Sequence, residues 1–134
     1  MKILAVDDNF VNRRLLQKIV IGYGDVDHAS DGIDAVAAIT MSIEEQDPYD
    51  LVLLDVLMPN MDGIEVLQSI RSLEKLNGIS PSNGVKIIMV TASSSVKHVM
   101  TAFREGCESY ITKPITKDKV LNEMIKLKLI HDSK

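Results

Sequence analysis

The chain has 134 residues, of which 46% are hydrophobic, and a formal net charge of −4. This length suits one domain with a substantial core, and the composition is not that of a disordered segment. The acidic balance argues against a nucleic-acid partner, because nucleic-acid-binding proteins usually carry a basic surface. No apolar run approaches the length of a membrane span, and the single cysteine, Cys107, cannot form an internal disulfide. We therefore expect a cytoplasmic protein with no membrane or nucleic-acid partner.

Short apolar runs alternate along the chain with longer segments whose apolar residues have helical spacing. Runs without polar alternation are typical of strands buried on both faces of a parallel sheet. The predicted strands are Ile3 to Val6, Val26 to Ala29, Leu51 to Leu54, Val85 to Val90, and Tyr110 with Ile111. Five β-α units in succession predict an α/β fold, with a parallel sheet and helices on both of its faces.

Each of the five predicted helices carries an apolar stripe. Ser30 or Asp31 is expected to cap the second helix, Gly22 or Gly24 to end the first, and Gly106 to end the fourth. The stripes are Val11, Leu15, Leu16, Ile19 and Val20; Ile33, Val36, Ala37 and Thr40; Ile64, Leu67 and Ile70; Val96, Val99, Met100 and Phe103; and Val120, Leu121, Met124, Ile125 and Leu129.

The segment before the fourth strand has the composition of a loop. Residues 73–84 contain Gly78, Pro81 and Gly84, which favour turns over regular structure. No internal repeat or low-complexity linker divides the chain. We predict one domain over residues 1–130 and a C-terminal tail over residues 131–134.

Polar residues collect at the predicted strand ends. Asp7 and Asp8 follow the first strand, Asp55 the third, Thr91 the fourth and Lys113 the fifth. Parallel strands bring their carboxyl ends to one edge of the sheet, where open α/β sheets bind their ligands. Each residue alone could be a helix cap or a solvated charge. Together they indicate a functional site.

The chemistry of this set points to a phosphoryl group and a cation. Three neighbouring carboxylates repel one another unless a cation lies among them, and Mg²⁺ prefers oxygen ligands. A cation, an ammonium group and a hydroxyl together suit a phosphoryl group. A carboxylate can also attack phosphorus and form an aspartyl phosphate.

Four segments carry a resemblance to a known family. VDDN at residues 6–9, LLDVLMPNMDG at 53–63, VTAS at 90–93 and YITKP at 110–114 stand in this order. With these segments the chain resembles the receiver domains of two-component response regulators, over essentially its whole length. The resemblance implies a flavodoxin-like fold, with five parallel strands in the order 2-1-3-4-5 and five helices.

The same resemblance assigns the acidic residues. Asp55 would be the phosphoacceptor. Asp8 and Asp55 would bind Mg²⁺ directly, together with the backbone carbonyl of Leu57, and Asp7 would act through a metal-bound water. An aliphatic side chain at Leu57 cannot orient an attacking water, so we expect slow hydrolysis of the aspartyl phosphate. Asp62 matches the motif but is expected to have a structural role.

The resemblance also implies a switch. Lys113 would pair with the phosphoryl group, its bond to Pro114 would be cis, and Thr91 would hydrogen-bond a phosphoryl oxygen. Tyr110 would fill the space that Thr91 leaves, although an ordinary half-buried tyrosine fits the sequence equally well. The output face would comprise the fourth helix, fifth strand and fifth helix. Because of their spacing, three residues of the fourth helix are expected in the core rather than on that face: Val99, Met100 and Phe103.

The implied partners are proteins. The phosphoryl donor would be a histidine kinase or a histidine phosphotransfer protein, and a downstream protein would bind the output face. The combination of Asn9, Asn12 and Arg13 resembles that of receivers attached to hybrid kinases and phosphorelays. We expect a monomer or a weak, phosphorylation-dependent dimer.

Three functions remain open. The first is a stand-alone phosphoacceptor without an output domain, which catalyses only its own phosphorylation and dephosphorylation; the start at Met1 mildly favours a complete chain. The second is an aspartyl-phosphate phosphatase, which typically has an acid two residues after its nucleophile, where this chain has Leu57. The third is a receiver-like binding module without phosphorylation, whose members usually lack one of the site residues.

Overall fold

Five parallel strands form one sheet, and helices connect them. The computed structural model describes residues 1–132. The strands are β1 Lys2–Val6, β2 Asp25–Ala29, β3 Leu51–Leu54, β4 Lys86–Thr91 and β5 Ser109–Thr112. The helices are α1 Phe10–Val20, α2 Gly32–Glu44, α3 Gly63–Leu76, α4 Val96–Glu105 and α5 Lys117–Lys126. The strand order is 2-1-3-4-5, so the expected flavodoxin-like arrangement is confirmed.

Alternate strand residues enter two cores, one on each side of the sheet. Leu4 and Val6 of β1 pack with residues of α2, α3 and α4, whereas Ile3 and Ala5 pack with residues of α1 and α5. All four residues of β3 are 0% exposed. A strand covered on both faces needs apolar side chains at every position, which is why its sequence is a continuous apolar run.

The polar sequence of β2 reflects its position at the edge of the sheet. Asp25, Asp27 and His28 are exposed, and Ala29 is the buried residue of this strand. β2 pairs with β1 along its whole length. The predicted strand Val26 to Ala29 is therefore confirmed as β2, although polar residues interrupt its apolar run.

Local capping contacts begin and end the helices near the predicted positions. Asp31 caps α2 by accepting a hydrogen bond from the Asp34 amide at 2.8 Å. Asp62 forms a reciprocal capping box with Glu65 at the start of α3, which is the structural role expected of Asp62. Gly106 ends α4 with φ of 109°, a left-handed conformation that glycine adopts without strain.

The segment between α3 and β4 is shorter than predicted. α3 continues to Leu76, so the first four residues of the predicted loop are helical, and a 3₁₀ turn covers Pro81–Asn83. Glu74 stabilises this extension, because its carboxylate accepts a hydrogen bond from the Val85 amide at 2.7 Å. The predicted tail lies partly outside the described residues, since residues 133 and 134 are beyond them. Among residues 1–132, no helix is long and apolar enough to cross a lipid bilayer.

The apolar stripe of α4 is not in the core, so the expectation for Val99, Met100 and Phe103 was wrong. Met100 is 65% exposed, Phe103 is 47% exposed and Val99 is only half-buried. α4 instead buries Ala102 against the sheet. Helical spacing shows that apolar residues share a face, but it does not show whether another element covers that face.

The stripes of α1 and α2 also differ from their buried faces. Val11 of α1 is 70% exposed and Ile33 of α2 is 65% exposed. The fully buried residues of α2 include Ala35 and Ile39. α2 is apolar around most of its circumference, so its sequence is compatible with more than one buried face.

Candidate functional site

The carboxyl edge of the sheet brings together the polar residues that follow the strands. Asp7 comes directly after β1 and Asp55 directly after β3, and these two strands are neighbours with Val6 opposite Leu54. Thr91 is the last residue of β4. Asp7, Asp55 and Thr91 are 1%, 4% and 0% exposed. The predicted convergence at one edge is therefore present.

Three carboxylates form the acidic part of the site. Asp7, Asp8 and Asp55 each have an oxygen within 4.8 Å of the others, with Asp8 exposed and the other two buried. An all-oxygen donor set with one solvent-facing member fits Mg²⁺, which binds few carboxylates and keeps several waters. The residues present therefore fit the cation that the sequence implies.

Lys113 lies between the two buried carboxylates. Its Nζ is 2.9 Å from Oδ2 of Asp7 and 3.1 Å from Oδ2 of Asp55. Burial alone would lower the pKa of Lys113, but the hydrogen bonds and charges of the two carboxylates outweigh it, and the pKa is raised. Lys113 is therefore held as a cation at the point where the carboxylates meet. Its peptide bond to Pro114 is cis, as the family resemblance implied.

Backbone amides fix the other oxygen of each buried carboxylate. Oδ1 of Asp55 accepts a hydrogen bond from the Leu57 amide at 3.0 Å, and Oδ1 of Asp7 accepts one from the Asn9 amide at 2.9 Å. These bonds to the residue two positions on are turns of the Asx type. Each carboxylate is thus oriented from one side by the backbone and from the other by Lys113.

A close backbone approach places α3 beside Asp55. A Cβ added at Gly63 would lie 2.0 Å from the backbone oxygen of Asp55, far inside contact distance. The Gly63 amide also donates to the carbonyl of Val56 at 2.9 Å. The glycine of the motif is therefore required by the tight path of the chain beyond the acceptor strand.

Thr91 and Tyr110 both bond to Ser93. The Ser93 amide donates to Oγ1 of Thr91 at 3.2 Å, and the Tyr110 hydroxyl donates to the Ser93 carbonyl at 2.7 Å. Tyr110 is half-buried and packs against the core beneath α2, α3 and α4. Burial, the largest influence, raises the pKa of Tyr110, so its hydroxyl stays protonated and can donate.

The simpler roles considered for these residues as helix caps are wrong. Asn9, rather than Asp7 or Asp8, caps α1 by accepting a hydrogen bond from the Asn12 amide at 3.1 Å. The N-cap of α4 is Ser95, four residues beyond Thr91.

Four residues make contacts at or beside the site that the sequence did not predict: Asn9, Arg13, Ser93 and His98. Asn9 and Arg13 support Asp7, since Nη1 of Arg13 donates to the Asp7 carbonyl at 2.5 Å. Ser93 bonds to both Thr91 and Tyr110, and its hydroxyl lies 2.5 Å from Nδ1 of His98. Asn9 and Ser93 belong to the family segments VDDN and VTAS, and this position is a sequence signal for a role at the site. No sequence signal connects Ser93 with His98.

The single cysteine belongs to the core and not to the site. Cys107 is 6% exposed, and burial, with a smaller contribution from the charge of Glu108, raises the pKa of its thiol to about 12. A buried thiol that stays protonated is a poor nucleophile.

The parallel sheet with helices on both faces, and the acidic residues and lysine at its carboxyl edge, place this chain among the α/β proteins that bind ligands at that edge. The family model described as response regulator receiver domain matches residues 3–125. The chain therefore belongs to the response regulator receiver domain family of two-component and phosphorelay signalling. This result confirms the resemblance inferred from the four segments.

Particular relatives agree with this assignment. The chain is 38% identical over 131 residues to hybrid signal transduction histidine kinase B of Dictyostelium discoideum, covering 93% of this chain and 6% of that protein. It is 31% identical over 140 residues to histidine kinase 5 of Arabidopsis thaliana, covering 89% and 15%. The chain thus spans a small part of the curated relatives it matches.

Solved structures share the fold. The crystal structure of the CheX-CheY-BeF3-Mg+2 complex from Borrelia burgdorferi matches with a TM-score of 0.81 and 28% identity, over 96% of this chain and 89% of that one. As its name states, that complex contains beryllofluoride and magnesium.

Proposed function

We propose that this receiver accepts a phosphoryl group on Asp55, in the presence of Mg²⁺, from a phosphohistidine donor. One observation carries the proposal: a buried Asp55 carboxylate lies against Lys113 and within 4.8 Å of the Asp7 and Asp8 carboxylates. The similarity to histidine kinases supports a histidine kinase or a histidine phosphotransfer protein as the donor. The cytoplasm is the expected location, and stand-alone organisation stays a prediction.

The residues of the site have separate tasks in this transfer. An oxygen of Asp55 forms a bond to phosphorus, the bond from phosphorus to the donor's imidazole nitrogen breaks, and that nitrogen keeps the bonding electron pair. Lys113, already 3.1 Å from Asp55, offers its ammonium to a phosphoryl oxygen. The Leu57 amide keeps the carboxylate oriented by holding its Oδ1.

Asp8, Asp55 and the backbone carbonyl of Leu57 would hold Mg²⁺, with Asp7 acting through water. Bound magnesium would supply positive charge to the phosphoryl oxygens, which lowers the cost of gathering negative charge at this edge. The Asp8 carboxylate is exposed, so it stays hydrated until a cation binds. The Asp7 and Asp55 carboxylates are buried and lose their hydration when the protein folds.

The switch begins at Thr91. Phosphorylation adds about −1.5 to −2 charges and three acceptor oxygens at Asp55. The Thr91 hydroxyl can donate to one of those oxygens, which changes its contact with the Ser93 amide. Tyr110 responds because its hydroxyl is bonded to the carbonyl of the same residue. Phosphorylation in this way shifts the balance between two conformations of the β4–α4 segment.

The exposed stripe of α4 supports the output face of α4, β5 and α5. Val96 is 71% exposed, Met100 65% and Phe103 47%, so three apolar residues of α4 are available to a partner, and two of them, Met100 and Phe103, were expected in the core. Aromatic and methionine side chains are enriched in protein interfaces. A downstream protein that binds this face would cover apolar surface that is otherwise hydrated. A monomer or a weak phosphorylation-dependent dimer stays the expected state.

Two other functions are less well supported. A phosphatase of this kind typically has an acid two residues after its nucleophile, where the Leu57 side chain is 49% exposed and cannot exchange protons. A module without phosphorylation would have no use for a buried carboxylate pair held by Lys113, because such charges are costly to bury.

Phosphorylation of the purified protein tests the proposal. We expect acetyl phosphate with Mg²⁺ to modify wild type, as measured by intact mass, and Asp55→Asn to remain unmodified. Asp34→Asn, an exposed aspartate on α2, is the matched control and should behave as wild type. A phosphorylated histidine phosphotransfer protein should then replace acetyl phosphate as donor.

Two results would contradict the proposal. Modification that does not depend on Asp55, or that does not occur, would favour a module that acts without phosphorylation. Steady turnover of phosphomonoesters would favour the phosphatase.

A further inference from the structure

A side-chain contact ties the β4–α4 segment to the first turn of α4. Oγ of Ser93 lies 2.5 Å from Nδ1 of His98, which is half-buried. Ser95 occupies the N-cap position of α4 but makes no side-chain capping bond. Its amide instead points to Oγ of Ser93, at 3.4 Å. The start of α4 is therefore fastened through Ser93 rather than through its own N-cap residue.

Three different groups of Ser93 bond to three different elements. Its amide donates to Oγ1 of Thr91 at the end of β4, and its carbonyl accepts from the Tyr110 hydroxyl on β5. Its hydroxyl pairs with His98 on α4. A displacement of Ser93 that begins at Thr91 must change the contact with His98 or move the helix that carries it.

α4 packs along α3 but buries few of its own side chains. Among the described residues of this helix, Ala102 is the buried one. Its apolar residues Val96, Met100 and Phe103 face solvent and contribute little to anchoring it. The position of a helix with few buried side chains depends more on a single hydrogen bond than the position of a well-packed helix does.

We propose that His98 is a positioning residue that transmits movement of Ser93 to α4 and so controls how the helix presents its apolar stripe. This inference rests on the proposed phosphorylation of Asp55. Nδ1 of His98 and Oγ of Ser93 form one hydrogen bond in either tautomer, because each atom can donate or accept. His98 does not contact the three carboxylates, so its role is separate from phosphoryl binding.

Hydrogen exchange of α4 amides, with and without beryllofluoride and Mg²⁺, tests the inference. In wild type we expect the phosphoryl mimic to change exchange in the first turns of α4 by about fivefold, the effect of one net hydrogen bond on an opening equilibrium. In His98→Ala this change should be lost, while the affinity for beryllofluoride stays within about twofold. His98→Asn should restore the response, since its amide offers polar atoms near the position of Nδ1.

Two further variants keep the result interpretable. Lys97→Ala alters the exposed neighbour of His98 and should respond as wild type. Ser93→Ala removes the bond to His98 from the other side, together with the contact between the Ser95 amide and Oγ of Ser93, and keeps the backbone bonds to Thr91 and Tyr110. It should lose the α4 response even if His98→Ala fails to fold.

The outcomes separate the two proposals. If wild type does not bind beryllofluoride, the proposed function fails and this inference fails with it. If wild type binds it but α4 does not respond, or if His98→Ala and Ser93→Ala respond as wild type does, the inference alone is overturned.

Discussion

Arg71 connects α3 to the start of β5, and its removal gives a sharp test of how this fold is stabilised. Its Nη1 is 2.7 Å from Glu74, and its Nη2 is 2.9 Å from Glu108. Nε and Nη2 also donate to the Gly106 carbonyl at 3.1 and 2.8 Å. The side chains of Glu74 and Glu108 are only 7% and 21% exposed. Arg71→Met therefore removes the ion-pair partner of two poorly solvated carboxylates.

The expected loss of stability follows from this burial. Breaking a buried charge pair by removing one partner costs about 3–5 kcal/mol. With a urea m value of about 2 kcal/mol/M, the unfolding midpoint should fall by about 1.5–2.5 M. Urea titration followed by circular dichroism measures this shift. Phosphorylation of Asp55 in the folded fraction should be unchanged, because Arg71 lies near the amino ends of β4 and β5, opposite the acidic site.

An exposed ion pair supplies the control. Lys126 is 72% exposed in its pair with Glu123, so Lys126→Met should lower the urea midpoint by less than about 0.5 M. Adding Glu74→Gln and Glu108→Gln to Arg71→Met should recover part of the loss, since the amides keep an oxygen for their backbone donors without the charge. If the Arg71→Met midpoint equals that of Lys126→Met, the buried charges around Arg71 do not contribute the stability expected of them.

Two further predictions concern Glu108 and Leu57. Burial, the largest influence, raises the pKa of Glu108, so the folded state holds its proton more tightly than the unfolded state does. Its contribution to stability is therefore fully present below the ordinary carboxyl range of about pH 4 and is lost as pH rises through the raised pKa. Glu108→Gln should remove this decrease of the unfolding free energy with rising pH. Urea titrations at several pH values measure it, and an equal pH dependence in wild type and Glu108→Gln would contradict the prediction. At the other edge, Leu57→Asn should shorten the lifetime of phosphorylated Asp55 by at least about tenfold, because its amide can orient an attacking water. Decay of the phosphorylated protein by intact mass checks this, and a wild-type half-life of seconds would count against the slow hydrolysis expected.

The positions of the strands and the composition of the site follow from the sequence alone. Strands buried on both faces require apolar residues throughout, so β1, β3 and β4 were visible as continuous runs. The polar residues that end those runs had to meet at the carboxyl edge, because parallel pairing leaves no other arrangement. The sequence therefore predicted that Asp7 and Lys113, 106 residues apart in the chain, lie close together.

Which apolar faces are covered, and which distant polar groups meet, depends on how the elements pack in three dimensions. The stripe of α4 has the spacing of a core helix, yet Met100 and Phe103 are exposed because no element within residues 1–132 covers them. The contacts of Arg71 with Gly106 and Glu108 join residues 35 and 37 positions apart, and no local pattern marks them. Periodicity records what a segment can bury, whereas burial itself depends on the neighbours that the whole chain supplies.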